Sequence, residues 1–217
     1  MGIPADFRSG DGMEALLIDL DGVLYEGDKA VNGGAEAVAW LQQEGIPFRF
    51  VTNTSSRPRQ NIVEKLAAMG VSVTVEQLFT PPVAARQWLV DQQVASVALF
   101  VPVATATEFV GLPVVDSSLA TGVDAVVLGD LGQGWSFERL NQAFRLLMSS
   151  PDTQLVALGL TRYWAVDDGL QLDVGPFVKA LEYATGKTAV VMGKPSAEFF
   201  HAALQQLTAG QKPLNPA

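Results

Sequence analysis

Short apolar runs alternate along most of the chain with segments in which apolar residues recur at helical spacing. The run Ala15-Leu16-Leu17-Ile18 is continuous and predicts a strand buried on both faces. Similar runs predict strands at residues 48–51, 71–75, 96–101, 125–128, 155–158 and 189–192. Helical spacing predicts helices at residues 33–45, 57–69, 80–93, 136–148, 176–185 and 196–207. Because strands and helices alternate, the predicted fold class is α/β, with a parallel sheet and right-handed crossovers.

Two carboxylates follow the first predicted strand, in the segment Asp19-Leu20-Asp21-Gly22. Ligands bind at the carboxyl ends of the strands in parallel α/β sheets, so these residues are candidates for chemistry. Paired carboxylates beside a buried strand are costly to desolvate unless a positive charge, such as a divalent cation, lies next to them. One carboxylate could then attack phosphorus while the other transfers a proton. A turn that merely favours Asp and Gly explains the motif equally well on its own.

Two further polar motifs follow later predicted strands. Thr52 and Asn53 come directly after the strand at 48–51, and a hydroxyl with a short amide can hold a phosphate oxygen and orient a nucleophile. Lys194 follows the strand at 189–192 and could screen charge between a carboxylate and a phosphoryl group. The alternatives are a helix N-cap cluster for the first motif and a solvated surface lysine for the second. The order of the three motifs, each after a predicted strand, favours chemistry over these alternatives.

In this order, residues 19–23, 51–53 and 193–195 resemble the first three motifs of the haloacid dehalogenase superfamily of phosphatases. The segment 162–186 is similar to the subgroup with a large inserted cap, which includes the NagD-like sugar and nucleotide phosphatases. The similarity runs from about residue 15 to residue 207. It implies a Rossmann-like core of residues 1–79 and 187–217, with a parallel sheet shortened at its C-terminal side. Residues 80–186 would form an inserted α/β cap.

The resemblance also implies a mechanism. Asp19 would be the nucleophile that forms an aspartyl-phosphate, and Asp21 would be the general acid and base. Mg²⁺ would bind the Asp19 carboxylate and the backbone carbonyl of Asp21, balancing two otherwise repelling anions. The expected activity is hydrolysis of a phosphate ester or phosphoanhydride, because positioning and charge stabilisation are most of what such a transfer asks of the protein.

Four more residues receive roles from the same resemblance. Thr52 would bind the phosphoryl oxygens, and Asn53 would position Asp21 or the loop of the nucleophile. Lys194 would neutralise charge on the phosphoryl group. Arg162 would contact the substrate from the cap. The partner is therefore expected to be a small phosphorylated molecule, and the motifs do not choose among phosphoamino acids, pyrophosphate, sugar phosphates and nucleotides.

The sequence departs from the family pattern after Leu207. A fourth family motif, an apolar strand ending in Gly-Asp-Asp or similar, has no counterpart in the residues that follow. Magnesium affinity is expected to be reduced, because a hard cation takes several oxygen ligands. The first strand is expected to leave an unpaired edge, which a homodimer could cover. A natural short form and a truncated product both fit, and a non-catalytic binding or scaffold protein is the alternative to an enzyme.

Composition excludes several other classes of protein. The 217 residues include no Cys and one His, which excludes thiolate metal sites, a cysteine nucleophile and multi-histidine sites. Fourteen Lys and Arg against 23 Asp and Glu give a formal charge of −9, which disfavours nucleic-acid binding. No run of about 18 uncharged apolar residues predicts a membrane span, and residues 1–13 do not resemble a signal peptide. The expected location is the cytoplasm.

Overall fold

The computed structural model describes residues 15–118, 121–166 and 169–209. The strands are β1 (Leu16–Asp19), β2 (Tyr25–Glu26), β3 (Lys29–Ala30), β4 (Phe48–Val51), β5 (Leu78–Phe79), β6 (Val97–Phe100), β7 (Val114–Val115), β8 (Ala125–Leu128), β9 (Gln154–Ala157), β10 (Tyr163–Val166), β11 (Gly169–Leu172) and β12 (Val190–Val191). The helices are α1 (Gly34–Gln43), α2 (Arg59–Ala68), α3 (Pro81–Asp91), α4 (Val103–Ala106), α5 (Phe137–Met148), α6 (Val174–Thr185) and α7 (Ala197–Ala209). This alternation confirms the predicted α/β class with parallel sheets.

The first sheet contains β1, β4 and β5 in that order, all parallel. Helices α1 and α2 cover one face, where Val38 and Leu66 pack around the fully buried Phe50. Among the described residues β1 pairs with β4 alone, so it forms one edge of this sheet. Its four residues are only half-buried, and the expectation of a strand buried on both faces is wrong. The missing neighbour explains the difference, because an edge strand keeps part of its surface open.

The second sheet has five parallel strands in the order β12, β9, β8, β6 and β7. Its central strand β8 is fully buried, as a strand covered on both faces should be. Strand β12 pairs with β9, with Val190 opposite Val156. The family resemblance implies that residues 187–217 belong to the core, and β12 of that segment lies in the same sheet as the strands of residues 97–157. Lys194 therefore follows a strand of the second sheet, whereas Asp19 ends one strand of the first sheet and Asn53 follows another.

An apolar cluster joins the two sheets. Val51 and Phe79 at the ends of β4 and β5 share it with Val127 of the second sheet and with residues of α3 and α7. The rings of Phe79 and Phe199 meet edge to face, with their centroids 5.1 Å apart. Such contacts between fully buried rings are among the larger single contributions to packing. The position of one sheet relative to the other is thus set by tightly packed side chains.

The strand predicted at 71–75 is absent, and that prediction is wrong. The backbone amide of Thr74 donates to Oε1 of Gln77 at 3.0 Å, and a capping box starts a 3₁₀ turn over Val75–Gln77. The strand begins only at β5. The apolar residues of this segment suit a strand, but the capping box of Thr74 and Gln77 stabilises a turn instead.

The antiparallel hairpin of β10 and β11 was not predicted as strands, although the sequence Asp167-Asp168-Gly169 at their junction is typical of a hairpin turn. Asp167 and Asp168 of that turn lie outside the described residues.

Within the described ranges, no helix is long and apolar enough to cross a membrane.

Candidate active site

Asp19 is the last residue of β1, and its carboxylate is held at the start of a tight turn. Its Oδ1 accepts a hydrogen bond from the backbone amide of Leu20 at 2.8 Å. The chain then turns through Gly22, whose φ of 76° lies in the left-handed region that favours glycine. The amide of Gly22 donates to the carbonyl of Tyr25 at 2.8 Å. This turn leaves Asp21 exposed two residues beyond Asp19.

Lys194 reaches Asp19 from the other sheet. Its Nζ lies 2.5 Å from Oδ1 of Asp19 and 3.4 Å from the carbonyl oxygen of Val51. The lysine side chain is 17% exposed and the aspartate side chain 44% exposed. A partly desolvated ion pair of this kind balances the charge of the carboxylate and fixes where the ammonium lies. The ends of β1, β4 and β12 therefore meet at one point, as the sequence predicted.

Asn53 joins the second motif to the third through its side-chain amide. Its Oδ1 accepts from the backbone amide of Lys194 at 2.7 Å, and its Nδ2 donates to the carbonyl of Lys194 at 3.1 Å. The resemblance assigned Asn53 to Asp21 or to the nucleophile loop, whereas these two bonds hold the backbone of Lys194. They fix the starting point of the lysine side chain.

Gly193 permits this close approach. A Cβ at residue 193 would lie 2.8 Å from the carbonyl oxygen of Leu158 and 3.2 Å from Oδ1 of Asn53. The first distance is shorter than real Cβ contacts, and the obstacle is backbone, which cannot easily move away. Only glycine lets the segment before Lys194 pass between β9 and Asn53.

Thr52 is 1% exposed at the end of β4. Its amide donates to the carbonyl of Phe79 at 3.2 Å, which extends the pairing of β4 with β5 by one residue. Its Oγ1 accepts from the amide of Thr54 at 3.2 Å and lies 3.0 Å from the hydroxyl of that residue. The loop after β4 is thus folded back on Thr52, with its hydroxyls gathered at the carboxyl end of the first sheet.

Partial desolvation and the neighbouring charges together shift the pKa of Asp21. Desolvation raises the pKa of Asp21 above its ordinary value of 3.8, Lys65 acts to lower it, Asp19 to raise it and Lys194 to lower it. A carboxyl with a raised pKa keeps its proton to higher pH than a free aspartate, which suits a general acid.

Tyr25 and Lys65 form a second contact beside this turn. Burial raises the pKa of Tyr25 to about 12, and the charges of Asp21 and Asp19 contribute to the rise. The Nζ of Lys65 lies 4.2 Å from the centre of the Tyr25 ring and donates to the carbonyl of Gly27 at 2.7 Å. Sequence reasoning missed Lys65. The available signal was its helical spacing from Ile62, which places it on a side of α2 that packs inward.

Arg162 is not brought into this cluster by any contact within the described part of the chain. It is exposed, its guanidinium lies 5.5 Å from the centre of the Tyr163 ring, and its carbonyl accepts from the amide of Asp173 at 3.2 Å. The substrate contact expected for Arg162 remains a prediction.

The oxygen atoms beside Asp19 are suitable ligands for a hard cation. Carboxylate and carbonyl oxygens are the groups that Mg²⁺ and Ca²⁺ take, and Mg²⁺ commonly uses one or two carboxylates together with water and substrate oxygens. The described ranges contain no group of three or more His, Cys, Asp or Glu placed to hold a metal ion. Asp19 and Asp21 have the oxygen atoms that a magnesium site needs, and such a site would have to be completed by oxygens from outside these two residues.

Comparison with known proteins agrees with this geometry. The family model described as "Haloacid dehalogenase-like hydrolase" matches residues 16–111. The human phospholysine phosphohistidine inorganic pyrophosphate phosphatase is 38% identical over 90% of this chain and 72% of its own length. The mouse haloacid dehalogenase-like hydrolase domain-containing protein 2 is 38% identical over 89% of this chain and 71% of its own. The structure of a p-nitrophenyl phosphatase from Archaeoglobus fulgidus superposes with a TM-score of 0.80 at 26% identity, over 90% of this chain and 74% of that one.

Proposed function

Because the chain belongs to the haloacid dehalogenase-like hydrolase family and is a phosphatase of that family, we propose that Asp19 is its nucleophile. The observation that carries the proposal is the ion pair between Lys194 Nζ and Asp19 Oδ1 at 2.5 Å, with Asp21 two residues further on. A cation that balances the charge of the nucleophile also attracts and stabilises the negatively charged phosphoryl group of a substrate. The partner is a small phosphorylated molecule.

In the first step, a carboxylate oxygen of Asp19 attacks phosphorus and forms an aspartyl-phosphate. The bond from phosphorus to the leaving oxygen breaks, and Asp21 gives its proton to that oxygen. The raised pKa of Asp21 supports this role, because the group must hold a proton when the substrate arrives.

In the second step, Asp21 takes a proton from water as the water oxygen attacks phosphorus. The bond between phosphorus and the Asp19 oxygen breaks, which releases inorganic phosphate and restores the Asp19 carboxylate and the protonated Asp21 carboxyl. Thr52 donates to phosphoryl oxygens, and Lys194 balances their charge. Asn53 acts through Lys194, whose backbone it holds at 2.7 and 3.1 Å.

We also propose that Mg²⁺ is the cofactor, held by the Asp19 carboxylate and the Asp21 carbonyl. When bound, it supplies positive charge that draws a phosphoryl group to the two aspartates and stabilises the charge of the transfer. Residues 80–186, which the family resemblance assigns to a cap, would set the choice of substrate by closing over the site and excluding water.

The test is release of p-nitrophenol from p-nitrophenyl phosphate by the parent chain and by Asp19→Asn, with Mg²⁺ and with excess EDTA. We expect turnover by the parent with Mg²⁺, and a loss of at least about 1,000-fold in Asp19→Asn, since removing a covalent nucleophile removes most of the rate enhancement. Chelation should abolish the parent's turnover.

The matched control is Asp152→Asn, which makes the same chemical change at an exposed residue before β9. It should retain the parent's rate. Turnover that survives Asp19→Asn would rule out Asp19 as the nucleophile. Turnover that survives chelation would rule out the magnesium requirement. Equal, negligible rates from folded parent and folded variant would favour a non-catalytic binding protein.

A further inference from the structure

The loop after β4, residues 52–58, is held by a segment that follows β6 in the second sheet. Thr105 of α4 is fully buried, and its Oγ1 donates to the carbonyl oxygen of Ser55 at 2.9 Å. Ser55 is itself only 7% exposed. A buried backbone carbonyl in a loop has no strand or helix partner, so this hydroxyl satisfies a group that would otherwise be left without a hydrogen bond.

The end of the same loop is held by Glu108. Its Oε1 accepts from the backbone amide of Arg59 at 2.8 Å, and its Oε2 accepts from Nε of Arg59 at 2.9 Å. The Glu108 side chain is 8% exposed. Helix α2 begins at Arg59 after Pro58, which has no side-chain cap. Glu108 therefore takes the place of an N-cap side chain. It accepts a hydrogen bond from the first turn of α2 and places a negative charge there, which stabilises a helix N-terminus.

These contacts act on the loop that carries Asn53. Thr105 holds the loop near its middle, at the Ser55 carbonyl, and Glu108 holds the residue that ends it, at the Arg59 amide. Asn53 in turn holds the backbone of Lys194, whose ammonium pairs with Asp19. The chain itself connects Ser55 to Asn53, and the other links in this series are hydrogen bonds or an ion pair between defined atoms.

We propose that Thr105 and Glu108 are positioning residues for phosphoryl transfer. They fix the loop at residues 52–58 so that Asn53 and Thr52 meet Lys194 and the phosphoryl group in one arrangement. Neither residue touches the reacting atoms. The inference rests on the proposed phosphatase function, and it adds residues outside the three sequence motifs to the machinery of that reaction.

The first test compares Thr105→Val, Thr105→Ser and Thr107→Val in the p-nitrophenyl phosphate assay, together with thermal unfolding. Thr105→Val keeps the shape and removes the donor to Ser55, whereas Thr105→Ser keeps the hydroxyl. Thr107→Val is the matched control, because the Thr107 hydroxyl is exposed and donates only to Ala104 at 2.6 Å. We expect kcat to fall about tenfold in Thr105→Val with KM changed less than about twofold, and Thr105→Ser to restore most of the rate.

The second test uses Glu108→Gln, which keeps an acceptor for the Arg59 amide and removes the charge. We expect a fall in kcat in the same direction, about threefold to tenfold. If Thr105→Val and Glu108→Gln lower the unfolding temperature but retain the parent's kcat well below that temperature, both residues are only structural and the proposal is wrong.

A third measurement does not depend on activity. Amide hydrogen exchange across residues 52–58 should speed up in Thr105→Val and remain unchanged in Thr107→Val. If the parent has no turnover, the proposed function fails while this exchange experiment still tests the positioning. If the parent turns over and exchange in Thr105→Val equals that of the parent, the positioning alone fails.

Discussion

Replacing Asn53 tests whether the backbone of Lys194 must be held for catalysis. Asn53→Ala removes two hydrogen bonds, of 2.7 and 3.1 Å, between the side-chain amide and the backbone of Lys194. Each such bond contributes about 1 kcal/mol net, so the variant loses about 2 kcal/mol of the free energy that holds the Lys194 backbone in place. If all of it reaches the transition state, kcat falls about 30-fold. Because Asn53 is exposed and water can replace part of the loss, we expect a fall between about 5-fold and 30-fold.

Asn53→Asp keeps one of the two hydrogen bonds and removes the other. The carboxylate still accepts from the amide of Lys194, but an oxygen replaces the donor and faces the carbonyl of Lys194. The variant also adds a negative charge where a phosphoryl group is expected. We therefore expect a larger fall in kcat than in Asn53→Ala, together with a higher KM.

The assay is steady-state hydrolysis of p-nitrophenyl phosphate, with thermal unfolding to verify that each variant is folded. Asn61→Asp is the matched control, since it makes the same change at an exposed position of α2 and should retain the parent's kinetics. If Asn53→Ala keeps kcat within about twofold of the parent, the pairing of Asn53 with Lys194 has no part in catalysis.

Two further predictions concern packing and pH. Gly193→Ala should lower the free energy of unfolding by at least about 1 kcal/mol and reduce kcat, because the added Cβ would lie 2.8 Å from the carbonyl oxygen of Leu158. Urea unfolding and the phosphatase assay measure the two effects, and unchanged values would contradict this prediction. Burial acts to raise the pKa of Glu182, but hydrogen bonds from the Ala189 amide at 2.9 Å and the Lys179 ammonium at 2.6 Å outweigh it and hold the pKa below its ordinary value of 4.5. The unfolded chain then binds this proton more tightly, so the stabilisation is complete above about pH 4.5 and is lost as pH falls through the folded value. Urea unfolding of Glu182→Gln should show a loss of about 1 kcal/mol at pH 7 that shrinks near pH 4, and an equal loss at both values would show that the charge is not responsible.

The sequence predicted those parts of the molecule that depend on local pattern. Residues 48–51 and 125–128 form strands with the predicted bounds, because continuous apolar runs of that length have few alternatives in a parallel sheet. The meeting of Asp19 with Lys194 also followed from their positions after strands. No side-chain detail was needed for either prediction.

The remaining features depend on contacts between distant residues, which periodicity does not reveal. Strand β12 is two residues long, and nothing in its sequence says that it pairs with β9. The hydrogen bond from Thr105 to Ser55 joins residues 50 positions apart, and the ion pair of Glu108 with Arg59 joins residues 49 apart. Threonine and glutamate in these segments look like ordinary surface residues until the fold brings them to the loop.

The ion pair of Asp19 with Lys194 has one partner on each sheet, which limits how this protein can be divided. A fragment that contained only β1, β4, β5 and their helices would carry the Asp19 carboxylate without its counter-charge. A fragment that contained only the second sheet would carry the lysine with nothing to neutralise. The ion pair is thus a property of the joined sheets, and neither sheet alone can form it. Complementation of two separately expressed fragments would have to rebuild the apolar layer around Phe79 and Phe199 before any activity returned.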